Sequence, residues 1–286
     1  RMRVTDIEAR LGLTYSYRTL STLTAAAPEA KFVWLMGADN MVNFHLWGEW
    51  QDIADMMPIA IVARPGIGPG ARNSPFARRF AEIGGPGVQK LRAATVSIVG
   101  AGALGGPCAM FLAAAGIGQI EIWDEDIVER SNLQRQVQFG ERDLGKAKVE
   151  VMSARLSADH PSTQFRGRRK RWAPNDALAG SVLVDATDNF QTRYALNRVA
   201  HLSERPLVHG AAAGWKGQAS VFASGCREGA PCYRCWVPET PPDAEACDEV
   251  GVVGPVTGMV STLMALEVLK LVTGAGEPLI GQIVLI

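Results

Sequence analysis

The sequence of 286 residues contains little cysteine, no excess of charge of either sign and no long run of apolar residues. Its five cysteines are too few, and odd in number, for a disulfide framework, so we expect reduced thiols. Lys plus Arg and Asp plus Glu each total 29, which argues against generic nucleic-acid binding because such binding depends on neutralising phosphates. No stretch of about eighteen uninterrupted apolar residues is present, so the sequence predicts no membrane span.

The first residues also lack an apolar secretion signal. They read RMRVTDIEAR, which is rich in charge, and together with reduced thiols this predicts a cytoplasmic protein. With 47% hydrophobic and 20% charged residues, the chain has enough apolar material for a packed core of one large or two ordinary domains.

A glycine- and proline-rich segment at 65–86 divides two series of alternating strands and helices. Before it, apolar runs at 31–37 and 58–64 predict two strands with a helix between them. A longer series starts at Thr95. Strands that alternate with helices predict an α/β fold with a Rossmann-like, doubly wound and mainly parallel sheet.

Runs of β-branched and apolar residues predict the strands of the second series, at 95–99, 119–124, 182–187, 206–213, 217–224 and 282–286. Apolar residues at helical spacing predict helices at 146–159, 190–203 and about 256–273. A basic run, RGRRKRW, occupies 166–172. In a chain without net charge we interpret it as a solvated strand edge guarded by charge, and not as a nucleic-acid site.

A glycine-rich turn follows directly after the strand at 95–99. Gly100, Gly102 and Gly105 form a G-x-G-x-x-G pattern that opens a helix, which is the context in which this pattern binds phosphate. Asp124 ends the next strand, where a carboxylate can accept hydrogen bonds from a ribose. The pattern predicts a nucleotide site and leaves open whether the nucleotide is ATP or NAD.

Polar residues after the second strand of this series favour a triphosphate. Asp126, Asn132, Arg135 and Lys148 follow that strand closely, and Asp188 comes after a later strand. A triphosphate needs several cations and usually Mg²⁺, which Arg135, Lys148 and Asp188 could supply or hold. This set disfavours an NAD-dependent oxidoreductase, which stays an alternative.

Several segments, in unbroken order over about 82–286, resemble the MoeB/ThiF/HesA family, which is related to ubiquitin-activating enzymes. They are VGAGALGGP, SNLQRQ, GKAKVE, DATDNFQTRYALN, HGAAAGWKGQASVF, PCYRC and GMVSTLMALEVLKLVTG. The resemblance implies an ATP-dependent adenylyltransferase that works as a homodimer. Its substrate would be the C-terminal glycine carboxylate of a small ubiquitin-like (β-grasp) sulfur-carrier protein, and pyrophosphate would be released.

The resemblance also implies a role for each matching residue. The three glycines would form the phosphate turn, Asp124 would bind ribose, Asn132, Arg135 and Lys148 would contact phosphates, and Asp188 would act with Mg²⁺. No general base is needed, because the attacking carboxylate is already an anion at neutral pH. The site must instead align the carboxylate with the α-phosphorus and neutralise charge on the leaving pyrophosphate.

The cysteines suggest a zinc site of which only half is present. Cys232 and Cys235 have C-x-x-C spacing, and the family resembled supplies a second such pair near its C-terminus. This chain ends at Ile286 before such a pair, so the resemblance implies a C-terminally truncated domain. Cys247 matches the position of a reactive cysteine in some members, with an ordinary loop thiol as the alternative. Cys108, in an apolar helix, is predicted to be buried.

Residues 1–81 resemble a fragment of a different family, nicotinate-nucleotide adenylyltransferase. The resemblance rests on RVTDIEARLGLTYSYRTLSTL and FVWLMGADNMVNFHLWGEWQDIADMMPIAIVARPG. The H-x-G-H motif of that family does not occur, so we expect no independent activity from this segment. The whole sequence resembles an in-frame fusion of two truncated genes, which leaves a second hypothesis: a nucleotide-binding remnant with impaired catalysis.

Overall fold

The computed structural model describes residues 16–37, 44, 47, 49–62, 87–241 and 251–286. The chain divides into two compact units, 1–84 and 85–286. The segment at 63–86, which contains the whole of the predicted linker, lies outside the described residues.

In the described part of the first unit, two parallel strands and two helices surround an aromatic core. The elements are α1 (Ser16–Ala26), β1 (Trp34–Gly37), α2 (Trp50–Met56) and β2 (Ile59–Val62), and β1 pairs with β2. Phe44 and Ile53 are fully buried, and the rings of Trp34, Trp47 and Trp50 pack around Phe44. The two strands and the helix predicted between them are confirmed, with shorter bounds.

The second unit contains a single sheet of seven strands in its described part. They are β3 (Thr95–Val99), β4 (Gln119–Trp123), β5 (Gln164–Arg168), β6 (Val182–Asp185), β7 (Leu207–Ala213), β8 (Lys216–Phe222) and β9 (Ile283–Leu285). Their spatial order is β5-β4-β3-β6-β7-β8-β9. The first five in this order are parallel, and β8 runs antiparallel to both β7 and β9. The doubly wound, mainly parallel fold predicted from the sequence is therefore confirmed.

Helices cover both faces of this sheet. They are α3 (Gly105–Ala114), α4 (Lys148–Asp159), α5 (Phe190–Leu202), α6 (Tyr233–Trp236) and α7 (Gly254–Thr273). One hydrophobic core contains residues of α3, α4 and α7, and the other contains residues of α5 and α6. From β3 the chain first adds β4 and β5 on one side, and it then returns to add β6 and β7 on the other side. The direction in which strands are added therefore reverses between β3 and β6. In doubly wound sheets such a reversal opens a ligand crevice at the carboxyl ends of the strands.

All the predicted strands of this unit except β3 are shorter than expected, and side chains explain where two of them end. β4 ends at Trp123 because the next residue, Asp124, turns its carboxylate toward the glycine-rich turn. β6 ends at Asp185, whose own carboxylate accepts hydrogen bonds from the backbone N–H and the hydroxyl of Thr187. The basic run begins on β5, which is the mostly exposed edge strand that the sequence predicted.

The helix α7 is long and apolar enough, by length and composition, to cross a membrane. An 18-residue window within it has a mean hydropathy of 1.5, and 44% of that window is buried inside the protein. Charged residues interrupt its apolar sequence, so the helix contains no uninterrupted apolar run of about eighteen residues. One such helix is weak evidence for a span, because a helix packed in a protein core passes the same test; α7 packs against α3, β7 and β8.

Candidate nucleotide-binding site

The glycine-rich turn lies at the reversal of strand order, between the carboxyl ends of β3 and β6. Gly100 has a φ of 101°, and a Cβ at this position would overlap the backbone oxygen of Ala186. A Cβ on Gly105 would overlap the backbone oxygen of Gly100. At Gly102, in contrast, the nearest atom to an added Cβ is Nε2 of Gln136 at 3.6 Å, an ordinary contact distance. Two glycines therefore permit close packing of the turn, and the third faces a more open space.

Asp124 ties β4 to this turn. Its Oδ2 accepts a 2.7 Å hydrogen bond from the N–H of Ala101, and its Oδ1 accepts a 2.8 Å bond from the N–H of Asp126. Burial raises the pKa of the Asp124 carboxyl, and the two N–H donors and the charge of Lys148 oppose that rise only in part. Each carboxylate oxygen retains a further lone pair, so the predicted hydrogen bond to ribose is compatible with these contacts.

Lys148 and Asp126, both predicted to act at the nucleotide, form an ion pair. Lys148 Nζ lies 2.8 Å from Asp126 Oδ2, with side-chain exposures of 6% and 59%. The backbone N–H of Lys148 also donates to the backbone oxygen of Asp126, which fixes the start of α4 beside the end of β4. An ammonium group has three protons, so this one carboxylate leaves donors that can bind phosphate oxygens.

The segment between Glu129 and Gln138 folds into a tight turn that carries two further predicted residues. Asn132 is buried, and its Oδ1 accepts a 3.2 Å hydrogen bond from the N–H of Glu129, so its amide shapes the turn. Arg135 Nη1 donates to the backbone oxygen of Ser131 at 3.1 Å. The guanidinium has five N–H donors, so the predicted contact between Arg135 and phosphate stays compatible with this bond.

Two glutamines of the same segment, Gln136 and Gln138, complete the turn. Gln138 is buried, and its Nε2 donates to the backbone oxygens of Ala101 at 3.1 Å and Gly102 at 2.9 Å. The Oε1 atoms of both glutamines are buried without a hydrogen-bond partner among the described residues. The signal in the sequence was the glutamine of VQF, a polar residue between two apolar ones.

Asp188 lies on the loop between β6 and α5, and this loop packs on the glycine-rich turn through Ala186. The Asp188 side chain is exposed, and the described residues contain no group of three or more His, Cys, Asp or Glu side chains that could hold a metal. Mg²⁺ in nucleotide sites is usually held by one or two carboxylates together with the phosphates. A single exposed carboxylate beside the phosphate turn therefore fits a magnesium ion that binds with ATP.

A buried network of Asp185, His209 and Arg193 lies beneath this loop, and no local sequence pattern indicates it. Asp185 Oδ2 lies 2.8 Å from Nδ1 of His209 and 3.4 Å from Nε of Arg193. Burial raises the pKa of Asp185, but the hydrogen bond from His209, the charge of Arg193 and the bonds from Thr187 outweigh it, so the net shift is downward. Burial lowers the pKa of His209, so the pair is a carboxylate and a neutral imidazole.

The predicted half zinc site and the other cysteines have different surroundings. Cys232 precedes α6 and Cys235 lies within it, with their sulfurs 3.6 Å apart, and no third ligand joins them among the described residues. Burial raises the pKa of Cys232, but hydrogen bonds from Cys235 and neighbouring groups lower it by more. Cys108 is fully buried, as predicted, and burial raises its pKa to about 12. Cys247 lies outside the described residues.

Comparisons with known proteins agree on the family and the fold. The ThiF family matches residues 76–286. The chain is 40% identical over 212 residues to the sulfur carrier protein adenylyltransferase of Thermus thermophilus, covering 71% of this chain and 78% of that protein. It is 40% identical over 209 residues to the adenylyltransferase/sulfurtransferase MoeZ of Mycobacterium tuberculosis, covering 71% of this chain but only 53% of MoeZ. The crystal structure of E. coli MccB with MccA-N7isoASN superimposes with a TM-score of 0.64 at 23% identity, covering 75% of this chain and 69% of MccB, and shows the same fold.

Proposed function

This chain belongs to the ThiF family and is an adenylyltransferase, and from that premise we propose that it transfers AMP from ATP to the C-terminal glycine carboxylate of a small ubiquitin-like sulfur-carrier protein. The relatives named as sulfur-carrier adenylyltransferases support this choice of substrate. The observation that carries the proposal is structural. The glycine-rich turn, the ion pair between the buried Lys148 and the exposed Asp126, and the Asp188 loop meet at the carboxyl ends of β3, β4 and β6.

The residues of the turn would bind and orient ATP. The backbone of the glycine-rich turn and the favourable end of the α3 dipole suit phosphate oxygens. Gln138 donates to the backbone oxygens of the turn, and Asp124 would accept hydrogen bonds from the ribose. Lys148 and Arg135 would neutralise phosphate charge. Mg²⁺ bound with ATP would neutralise the charge that develops on the phosphates, and Asp188 is the residue that would hold it.

The chemical step needs alignment and charge neutralisation, not proton transfer. A carboxylate oxygen of the carrier attacks the α-phosphorus as a new P–O bond forms, and the bond from that phosphorus to the bridging oxygen of pyrophosphate breaks. The electron pair leaves with pyrophosphate, so the cation of Lys148 is most valuable at that moment. The buried position of its ammonium strengthens the interaction, because the local dielectric is lower than in water.

The test is carrier-dependent exchange of labelled pyrophosphate into ATP in the presence of Mg²⁺, with an Asp188→Ala variant beside the parent protein. Exchange that requires the carrier and is lost in the variant supports the proposal. Intact ATP binding without exchange would instead identify a nucleotide-binding remnant, and NAD binding without ATP binding would revive the oxidoreductase alternative. The homodimer, the zinc ion and the cytoplasmic location stay predictions of the sequence.

A further inference from the structure

A buried arginine on α5 lies directly behind the loop that carries Asp188. Arg193 Nη2 donates a 2.9 Å hydrogen bond to the backbone oxygen of Thr187, and its Nη1 donates to the hydroxyl of Tyr233 at 3.4 Å. Its Nε forms an ion pair with Asp185 across 3.4 Å. The guanidinium therefore holds the loop after β6, the end of β6 and the C-x-x-C helix α6 in one arrangement.

Thr187 is held through every polar group that it has. Its N–H and its hydroxyl both donate to Oδ1 of Asp185, at 3.1 and 2.6 Å, and its carbonyl accepts from Arg193. On the other side of Asp188, Asn189 caps α5 by accepting the N–H of Thr192 at 2.9 Å. Both neighbours of Asp188 in the chain are thus fixed, which restricts the backbone that carries its side chain.

The same loop is also anchored to the phosphate turn. The N–H of Ala186 donates to the backbone oxygen of Val99 at 3.0 Å, and Gly100 and Gly105 both pack against Ala186. With Ala186 fixed at one end and Asn189 at the other, movement of Thr187 would change the distance between Asp188 and a phosphate held by the turn.

We propose that Arg193 is a positioning residue, which acts through Thr187 to set the place of the Asp188 carboxylate and so the affinity for the divalent metal bound with the nucleotide. The inference rests on the proposed function, because it takes Asp188 as a ligand of that metal. Lysine cannot replace Arg193 in this role, since an ammonium lacks the planar fork that reaches the Thr187 carbonyl and the Tyr233 hydroxyl together.

The test uses Mn²⁺ as the metal and AMPCPP, an ATP analogue that cannot be cleaved between the α- and β-phosphates, as the nucleotide. Electron paramagnetic resonance measures the affinity for Mn²⁺ in the ternary complex, and calorimetry in EDTA measures the affinity for AMPCPP without metal. Arg193→Lys retains the positive charge beside Asp185. We expect it to weaken Mn²⁺ binding about tenfold, the usual effect of losing a residue that orients a metal ligand, and to change metal-free AMPCPP binding by less than about twofold.

The matched control is Arg198→Lys, an exposed position on the same helix, which should change neither affinity. Asp188→Ala should weaken Mn²⁺ binding, and Arg193→Lys added to Asp188→Ala should cause no further loss, because Arg193 acts through Asp188. If Arg193→Lys does not fold, Thr187→Val loosens the same loop without touching the buried cation, and it should weaken Mn²⁺ binding about threefold.

Mn²⁺ affinity that is unchanged in both Arg193→Lys and Thr187→Val would overturn the proposal, and so would an additive loss in the double variant. Equal losses of Mn²⁺ and metal-free AMPCPP affinity would also overturn it, since they would indicate a purely structural role. If the variants change the affinity for Mn²⁺ as expected but the parent protein shows no carrier-dependent pyrophosphate exchange, the proposed function is wrong and the proposed role of Arg193 is still supported. A parent protein that binds AMPCPP but no Mn²⁺ would overturn both.

Discussion

Lys148 Nζ lies 2.8 Å from Asp126 Oδ2, so a buried ammonium is held in place by a largely exposed carboxylate. The arrangement aims a fixed positive charge at the end of β4, beside the glycine-rich turn that Asp124 joins to that strand. The partner carboxylate faces solvent, whereas the ammonium is buried. Lys148 is therefore the cation on which the proposed chemistry depends most.

Replacement of Lys148 should show this dependence. Lys148→Met keeps the length of the side chain and removes its charge, and we expect kcat/KM for carrier-dependent pyrophosphate exchange to fall by about 100-fold, as for loss of one group that stabilises transition-state charge. Lys146→Met is the control, since Lys146 is two residues away and exposed. A similar loss in both variants would show that the position of Lys148 has no special importance.

The close packing of the turn predicts a strict requirement for glycine. Gly105→Ala would drive a methyl group into the backbone oxygen of Gly100, and we expect it to destabilise the fold by about 2 kcal/mol and to lower the melting temperature by several degrees. Gly140→Ala is the control, because a methyl group there meets no atom within 4 Å and its φ is −139°. Equal melting temperatures for the two variants would contradict the geometry.

The amide of Gln138 should matter for nucleotide binding. Gln138→Glu replaces the Nε2 group that donates to the oxygens of Ala101 and Gly102 with a carboxylate oxygen that repels them. Loss of two hydrogen bonds in a buried site should lower the affinity for ATP by about tenfold or more in calorimetry. Gln134→Glu, at an exposed position of the same segment, adds the same charge and should leave the affinity nearly unchanged.

The buried His209 predicts a pH dependence of stability. Burial lowers its pKa in the folded protein, whereas the unfolded chain binds a proton with the ordinary pKa of 6.5, so the unfolded state takes up more protons as the pH falls below that value. The free energy of unfolding should therefore decrease as the pH falls from 6.5 to 5.5, by at most roughly 1 kcal/mol. Asp185, whose pKa is lowered, stabilises the fold at any pH above the unfolded carboxyl pKa of about 3.9, and this stabilisation is lost only as the pH falls below that value, outside this window.

Urea unfolding at pH 7.5 and 5.5 measures this decrease. In His209→Asn the amide can still donate to Asp185 and nothing at the position titrates, so most of the decrease should disappear. His201→Asn changes an exposed histidine and should retain it. A parent protein of equal stability at the two pH values would show that His209 is not buried as a neutral imidazole.

The sequence predicted the elements that repeat simple patterns. TVSIV reads as a buried strand because all of its residues but Thr95 are buried in a parallel sheet, and the glycine pattern after it fixes the place of the turn. Asp126 and Lys148 could be assigned to one site because both follow β4 closely and lie at the same edge of the sheet. The order of strands in the sheet confirms the predicted fold, and the match to the ThiF family confirms the predicted family.

Long-range side-chain pairs could not be predicted in the same way. Asp185 and His209 lie on neighbouring parallel strands, and their pairing depends on a register that no local pattern encodes. Arg193 appears in the sequence as one more charged residue of an amphipathic helix, and only the fold shows that it is buried behind Thr187. Gln138 was missed for the same reason, since its partners lie far back along the chain in the glycine-rich turn.

The central claim is that the chain forms an acyl-adenylate on the C-terminal glycine of a sulfur carrier, and hydroxylamine tests it most directly. Hydroxylamine converts an acyl-adenylate into a hydroxamate, which mass spectrometry detects at the carrier C-terminus. With ATP, Mg²⁺ and an intact carrier we expect a hydroxamate on the terminal glycine, and none with Asp188→Ala or with a carrier that lacks that glycine. An intact carrier that stays unmodified while ATP binds normally would contradict the claim.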